Sequence, residues 1–205
     1  MVDESGDPKR NSGSKEFTMT ASITADPLAL ERITDSKPRG TRYPTKPEFK
    51  KELKYFSSND RIRREVLEEI MATNPAVYAA HINKNEAKSG SPREIYHLVT
   101  RELIGYVMAG PALRRPGAEI DVVYDRHRLL DKADAEKLTR SAAKQKGAGI
   151  IKTIDCNESV NDRHLQAHDF LAGAVGSRYN HKLNHDFRII ESAVTIWNVP
   201  IKKKR

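Results

Sequence analysis

From residue 76 onward, patterns typical of β-strands alternate with patterns typical of α-helices. Strands are expected at residues 76–83, 119–125 and 149–156, each rich in β-branched and apolar residues. Between them, Pro92 opens one helical pattern and Asp131 caps the next. Strands that alternate with helices favour a mixed or parallel sheet with the helices packed on it. The chain is therefore expected to have an α/β fold.

The first part of the chain predicts a hairpin. Residues 1–6 fit a very short strand, and residues 16–25 fit a strand that alternates apolar with polar residues and so has one face toward solvent. A helix is expected to end before Asn74. Two segments stay open: residues 49–56 fit a third strand but also a helix, and residues 187–197 fit either a final helix or a final strand.

The last clear helical pattern, residues 164–176, places one acid, Asp169, among small and apolar residues. Asp169 shares a helix face with Leu165 and Gly173, so its carboxylate is expected to point toward the protein. A buried carboxylate needs a cation, a metal ion or several donors. From this helix alone, a structural salt bridge is favoured over a metal ligand. Gly173 and Gly176 indicate close helix packing rather than a phosphate-binding loop.

Composition sets the class of protein. The 205 residues are enough for one domain with its own core. No apolar run approaches the length of a membrane span, and the acidic first residues do not resemble a secretory signal. The single cysteine, Cys156, excludes an intrachain disulfide and a cysteine-based zinc site. A cytoplasmic protein with no membrane partner is expected, and its oligomeric state is left open.

The net charge of +8 and the pI near 9.5 favour a polyanionic partner. Part of the excess lies in a basic, proline-rich loop at residues 37–51. This loop is interpreted either as a solvated loop or as an extended arm that follows a phosphate backbone. The candidate nucleic-acid-binding residues are Arg39, Arg42, Lys46, Lys50 and Lys54. The basic residues 202–205 are interpreted as a charged tail.

Five short motifs, in this order and spacing, resemble a widespread and largely uncharacterised prokaryotic family with a ribonuclease H-like fold. They are D-E-S-G at residues 3–6, E-L-K at 52–54, I-N-K at 82–84, V-V-Y-D-R at 122–126 and Q-x-x-D-F-L-A-G-A at 166–174. The resemblance covers nearly the whole chain. It implies a single ribonuclease H-like domain over residues 1–205, with a mixed sheet and helices packed on it.

By this resemblance, Asp3, Asp125 and Asp169 match the family's acids on the first strand, a later strand and the final helix, and they are the candidate catalytic residues. The same three acids, with Glu52 as an addition, are the candidate metal ligands. Carboxylate clusters prefer hard cations, so Mg²⁺ or Mn²⁺ is the implied cofactor. The implied reaction is metal-dependent hydrolysis of phosphodiester bonds in nucleic acid, with Lys54 close to the phosphate.

Two residues depart from the family pattern: Asn83 stands where the family often has Asp, and His168 stands at a position that is usually small. Loss of an acid at Asn83 favours an alternative, a non-catalytic nucleic-acid-binding module on the same fold. A third interpretation, a small-molecule phosphohydrolase, requires a closed pocket. His168 and His127 are interpreted as packing or surface residues rather than proton carriers. Motifs of P-loop nucleotide triphosphatases, serine hydrolases and zinc peptidases are lacking.

Overall fold

The fold was analysed in a computed structural model, which describes residues 1–9, 14–85, 91–180 and 184–200. The strands are β1 (Val2–Ser5), β2 (Glu16–Ile23), β3 (Ala76–Asn83), β4 (Glu119–Asp125), β5 (Ile150–Asn157) and β6 (Val194–Asn198). The helices are α1 (Pro27–Asp35), α2 (Asp60–Ala72), α3 (Pro92–Met108), α4 (Lys132–Lys146), α5 (Arg163–Asn180) and α6 (His185–Ile190). The predicted strands at 76–83 and 119–125 match β3 and β4.

The six strands form one mixed sheet in the order β5-β4-β1-β2-β3-β6. β2 runs antiparallel to both β1 and β3, which confirms the predicted hairpin. The pairs β1–β4, β4–β5 and β3–β6 are parallel. The carboxyl ends of β1, β4 and β5 therefore lie at the same edge of the sheet, where ligands gather in folds of this kind.

Helices cover both faces of the sheet. One core contains apolar residues of α3 and α4 packed on one face of β1 to β4, with Phe17, Leu103 and Tyr124 at its centre. The second core joins α1, α2, α5 and α6 to the other face, and it includes Leu67 and Phe170. In the described part of the chain, none of the helices is long and apolar enough to cross a membrane.

The expectation that one face of β2 is wet is wrong. Thr18, Thr20 and Ser22 are buried, because α5 packs over them. His168 of α5 satisfies this polar face: its Nδ1 lies 2.9 Å from Ser22 Oγ and its Nε2 lies 3.0 Å from the carbonyl oxygen of Thr20. The polar residues of β2 therefore contact a helix rather than water. His168 is a packing residue, as expected.

The segment 49–56 is not a strand. A short 3-10 helix covers Pro47–Lys50, and an irregular chain follows it. The backbone amides there bond to side chains of α5 instead of a neighbouring strand: Leu53 N–H donates to Gln166 Oε1 at 3.1 Å, and Tyr55 N–H donates to Asp169 Oδ2 at 2.7 Å. Alternating apolar residues resembled a strand because Leu53 and Tyr55 both enter the second core.

The final segment, which the sequence left undecided, contains both kinds of element. α6 ends at Ile190, a short 3-10 turn follows at Glu191–Ala193, and β6 then pairs with β3 at the edge of the sheet. The basic tail expected at residues 202–205 lies outside the described residues.

Two glycines let α5 approach the sheet closely. A Cβ at Gly173 would collide with the ring of Tyr55, and a Cβ at Gly176 would collide with the side chain of Ser5 on β1. The ring of Tyr55 is held in place, because Tyr55 is buried and its hydroxyl donates a hydrogen bond to Asp186 Oδ2 at 2.6 Å. The close packing predicted for these glycines is confirmed, and it brings Asp169 to the end of β1.

We expect Gly173→Ala to lower the free energy of unfolding by about 1–3 kcal/mol, because the added methyl group must displace a buried ring. Gly105→Ala is a matched control within α3, where an added Cβ meets nothing within 4 Å. That control is expected to be neutral or to stabilise by up to about 1 kcal/mol through helix propensity. Urea denaturation measures both variants, and equal effects would contradict the close-packing explanation.

Candidate functional site

Asp125 ends β4, and Asp3, the second residue of β1, lies beside it. The parallel register pairs Val2 with Tyr124, and each acid is the next residue on its strand. Neighbouring strands are about 4.8 Å apart, and residues at the same level point to the same face. Asp3 is 6% exposed, whereas Asp125 is partly buried and accepts backbone hydrogen bonds from Arg126 and Ser159.

Asp169 reaches the same place from the helix that covers this face. It is partly buried, and its Oδ2 accepts the hydrogen bond from Tyr55 N–H. One turn earlier on α5, Gln166 accepts from Leu53 N–H and donates through Nε2 to the carbonyl oxygen of Ser159 at 2.8 Å. The Q-x-x-D spacing therefore holds two backbone segments against the helix. Asp169 is neither a surface acid nor half of a direct salt bridge among the described residues.

Glu52 and Lys54 complete this side of the site. Lys54 Nζ lies 3.0 Å from Glu52 Oε1, and Ser159 Oγ donates to Glu52 Oε2 at 3.0 Å. The charge of Lys54 also acts on Asp125 and Asp169, and it opposes the rise in their pKa values. Lys54 thus supplies positive charge beside several carboxylates at once.

Sequence reasoning did not assign Glu4 to the site. Alternation along β1 sends its side chain to the face opposite Asp3. There, Tyr96 donates from its hydroxyl to Glu4 Oε2 at 2.8 Å, and His127 Nε2 lies 3.9 Å from Glu4 Oε1. The rings of Tyr96 and His127 stack with centroids 4.6 Å apart. The signal in the sequence that could have indicated Glu4 is its position directly after Asp3 in the D-E-S-G motif.

We call Asp3, Glu4, Glu52, Asp125 and Asp169 the acid cluster. Burial, then the charges of Glu4, Asp169 and Asp125, raise the pKa of Asp3 well above its usual value. Burial raises the pKa of Asp169 to about 6 and that of Glu4 to about 7, and it also raises the pKa of Asp125. The cluster carries more negative charge than its surroundings compensate, which is the electrostatic environment that a cation would stabilise.

The donor set suits a hard divalent cation, because it consists of carboxylate oxygens. Thr20 lies opposite Asp3 in the β1–β2 register, and its buried Oγ1 has no hydrogen-bond partner within the described ranges. This orphaned hydroxyl marks a polar position where a further ligand would be satisfied. As they stand, however, no three His, Cys, Asp or Glu side chains among the described residues are close enough to hold an ion. Binding therefore requires the carboxylates to turn toward one another.

Asn83 lies outside the acid cluster. It ends β3, which is separated from β1 by β2, and its Nδ2 donates to Glu16 Oε1 at 3.1 Å. The departure from the family pattern at this position therefore removes no group from the cluster. The neighbouring Lys84 is buried, and its Nζ donates to the carbonyl oxygens of Asp7 and Lys9 at 2.7 and 2.8 Å, which fixes the chain that follows β1.

The predicted nucleic-acid-binding residues divide into two groups. Lys54 contacts the acid cluster through its ion pair with Glu52. Arg42, Lys46 and Lys50 are exposed on the loop before it, whereas Arg39 is partly buried and lies 3.8 Å from Asp35. The loop is therefore a surface feature next to the candidate site rather than part of it.

Comparison with solved structures identifies the fold. The chain is similar to a ribonuclease HII structure from Archaeoglobus fulgidus, solved as a complex with PCNA, with a TM-score of 0.52 and 14% sequence identity. The match covers 93% of this chain and 74% of that one. The expected ribonuclease H-like fold is thereby confirmed. Neither the protein-family models nor the curated proteins gave a match.

The raised pKa of Asp169 predicts a pH-dependent stability. Its pKa is about 6 in the folded protein against a usual 3.8, so the folded state holds the proton more tightly. This contribution favours folding below the unfolded-state pKa and is lost as the pH rises through about 6. Asp169→Asn removes the charge but still accepts from Tyr55 N–H. In EDTA at pH 8 the variant should be the more stable protein.

The stability difference between Asp169→Asn and the unchanged protein should shrink by about 1 kcal/mol between pH 8 and pH 5. Urea unfolding at both pH values, in EDTA, measures it. A variant that is less stable at pH 8, or a difference that does not vary with pH, would contradict the description of Asp169 as an uncompensated acid.

Proposed function

We propose that this protein is a divalent-metal-dependent nuclease that hydrolyses phosphodiester bonds in nucleic acid. The acid cluster carries the proposal: strand acids and a helix acid converge at the carboxyl edge of a ribonuclease H-like sheet, beside one lysine. The fold alone does not determine the reaction, since one fold supports many functions. The support comes from the crowding of acids whose charge the surrounding residues do not neutralise.

Asp3, Asp125 and Asp169 are the proposed metal ligands and catalytic residues, with Glu52 and Glu4 at the flanks. Mg²⁺ or Mn²⁺ bound there would activate water and stabilise the leaving oxygen of the phosphodiester. Tyr55 N–H and Gln166 keep α5 and the 52–55 segment in place, so Asp169 and Glu52 face the same space. Lys54 would contact a substrate phosphate. The basic loop supplies further positive charge along the approach.

The second candidate function is a nucleic-acid-binding module without catalysis. The separation of the carboxylates in the described residues favours it, since no three of them already form a metal site. A small-molecule phosphohydrolase has less support. The cavity of about 700 Å³ by Arg178 and Phe187 lies toward the other end of α5 from Asp169, and so away from the acid cluster.

We propose the cytoplasm as the location of the protein, on the composition of its sequence.

Titration calorimetry with MnCl₂ and MgCl₂, followed by cleavage assays on labelled DNA, RNA and RNA–DNA hybrid, tests the proposal. We expect binding and cleavage in the unchanged protein, and a loss of cleavage of about 100-fold or more in Asp3→Asn and Asp169→Asn. Asp121→Asn is the matched control, because Asp121 is an exposed acid on the same strand as Asp125 and bonds to Thr153.

Control activity within about twofold of the unchanged protein would assign the loss to the acid cluster. Metal binding that disappears in Asp169→Asn, without cleavage of any tested nucleic acid, would favour the non-catalytic module. Metal-independent cleavage that survives both cluster variants would refute the proposed site.

A further inference from the structure

Three aromatic rings form a surface cluster beside the acid cluster. Tyr43 and Phe49 have ring centroids 4.9 Å apart, and Phe56 lies 5.7 Å from Tyr43 and 6.3 Å from Phe49. We call these three residues the aromatic platform. Phe56 is 59% exposed, so it is not the centre of a small core. A large apolar ring that stays this exposed is available to a partner.

Two cations lie over the rings of the platform. The guanidinium of Arg42 is 5.6 Å from the centroid of Tyr43 and 5.7 Å from that of Phe56. The ammonium of Lys46 is 5.5 Å from Tyr43 and 5.7 Å from Phe49. Both side chains are exposed. The surface therefore combines aromatic faces with positive charge, which suits a polyanion that also presents flat rings.

The backbone holds the platform in place before any partner binds. Arg42 N–H donates to the carbonyl oxygen of Ser57 at 3.0 Å, and Thr41 Oγ1 accepts from Asn59 N–H at 2.9 Å. Gly40 has φ +64°, and a Cβ there would lie 2.8 Å from the carbonyl oxygen of Phe49. Only glycine fits this turn without strain. The loop is thus anchored to the start of α2.

The platform continues directly into the acid cluster. Glu52 and Lys54 belong to the cluster or contact it, Tyr55 N–H donates to Asp169, and Phe56 is the next residue. The platform and the acid cluster are therefore joined by one short backbone segment, residues 52–56.

We propose that the aromatic platform binds unpaired bases of a single-stranded nucleic acid, with Arg42 and Lys46 next to its phosphates. The inference rests on the proposed function and specifies its substrate: a single strand, or a duplex with an unpaired segment. Base faces are free to stack on aromatic side chains only when they are unstacked from a duplex, and such stacking tolerates any sequence. A basic surface without rings would suit a duplex equally well.

Fluorescence anisotropy in EDTA tests this binding without requiring metal or cleavage. The probes are a labelled oligothymidine of 15 nucleotides and a blunt-ended duplex of the same length in base pairs, annealed from two separate strands so that it has no unpaired bases. We expect tighter binding of the single strand, a loss of about tenfold or more in affinity for Phe56→Ala, and retention in Phe56→Trp. Phe56→Leu keeps apolar packing but loses the ring face, so it should resemble Phe56→Ala.

Trp197→Leu is the matched control, because Trp197 is a 37% exposed aromatic residue on β6, at an outer edge of the sheet. The affinity of the Trp197→Leu variant for the single strand should equal that of the unchanged protein. In a Trp197→Phe background, the indole introduced by Phe56→Trp is the sole tryptophan of the protein. Stacking should quench its fluorescence when the single strand is added. Circular dichroism and thermal unfolding establish that each variant is folded.

Equal affinity for single strand and duplex, or unchanged affinity in folded Phe56→Ala and Phe56→Leu, would overturn the platform proposal. These results are independent of cleavage. If single-strand binding depends on Phe56 but no nucleic acid is cut, the nuclease proposal fails and the platform stands. If cleavage occurs and the Phe56 variants cut single-stranded substrates with unchanged kcat/KM, the platform proposal fails alone.

Discussion

The close approach of α5 to β1 and to Tyr55 is the contact on which the candidate site depends. It is made possible by Gly173 and Gly176, where any side chain would collide with Tyr55 or Ser5. At this distance Gln166 and Asp169 reach the backbone amides of Leu53 and Tyr55. The same contact therefore buries the helix, orders a segment without regular structure and brings a helix acid to the strand acids.

This arrangement costs stability. Several carboxylates share one partly buried edge, and burial together with mutual repulsion raises the pKa values of Asp3, Asp125 and Asp169. Lys54, Tyr55 N–H and the hydroxyl of Tyr96 offset part of that cost. Elsewhere local preferences agree with the fold, as where Asp26, Asn59, Ser91 and Asp131 cap helices with their side chains. A concentration of buried acids in one place is typical of a functional site.

The sequence was sufficient for elements whose own residues decide their structure. The predicted strand limits at 76–83 and 119–125 match the structure, because periodic apolar residues and breakers mark both ends. The sequence was insufficient where a side chain far away along the chain determines the local structure. The 49–56 segment bonds to Gln166 and Asp169, more than 100 residues away along the chain, and the polar face of β2 contacts His168. No local pattern encodes those partners.

The candidate site was predictable to a similar degree. Asp3, Asp125 and Asp169 were found through a resemblance of motifs, and the register of β1 and β4 places the first two together. Glu4 was missed, because alternation along a strand directs it away from Asp3. The aromatic platform was missed as well: Tyr43, Phe49 and Phe56 are spaced irregularly along the chain, so no periodic pattern groups the rings that the fold brings into contact.

The position of Glu4 separates its carboxylate from that of Asp3. Consecutive strand residues face opposite sides of a sheet, so Glu4 accepts from Tyr96 on the face away from Asp3, while its charge still raises the pKa of Asp3. The exposed aromatic and basic loop adjoins the candidate site along the chain, and for this reason a long flexible chain is the proposed substrate rather than a small molecule enclosed on all sides.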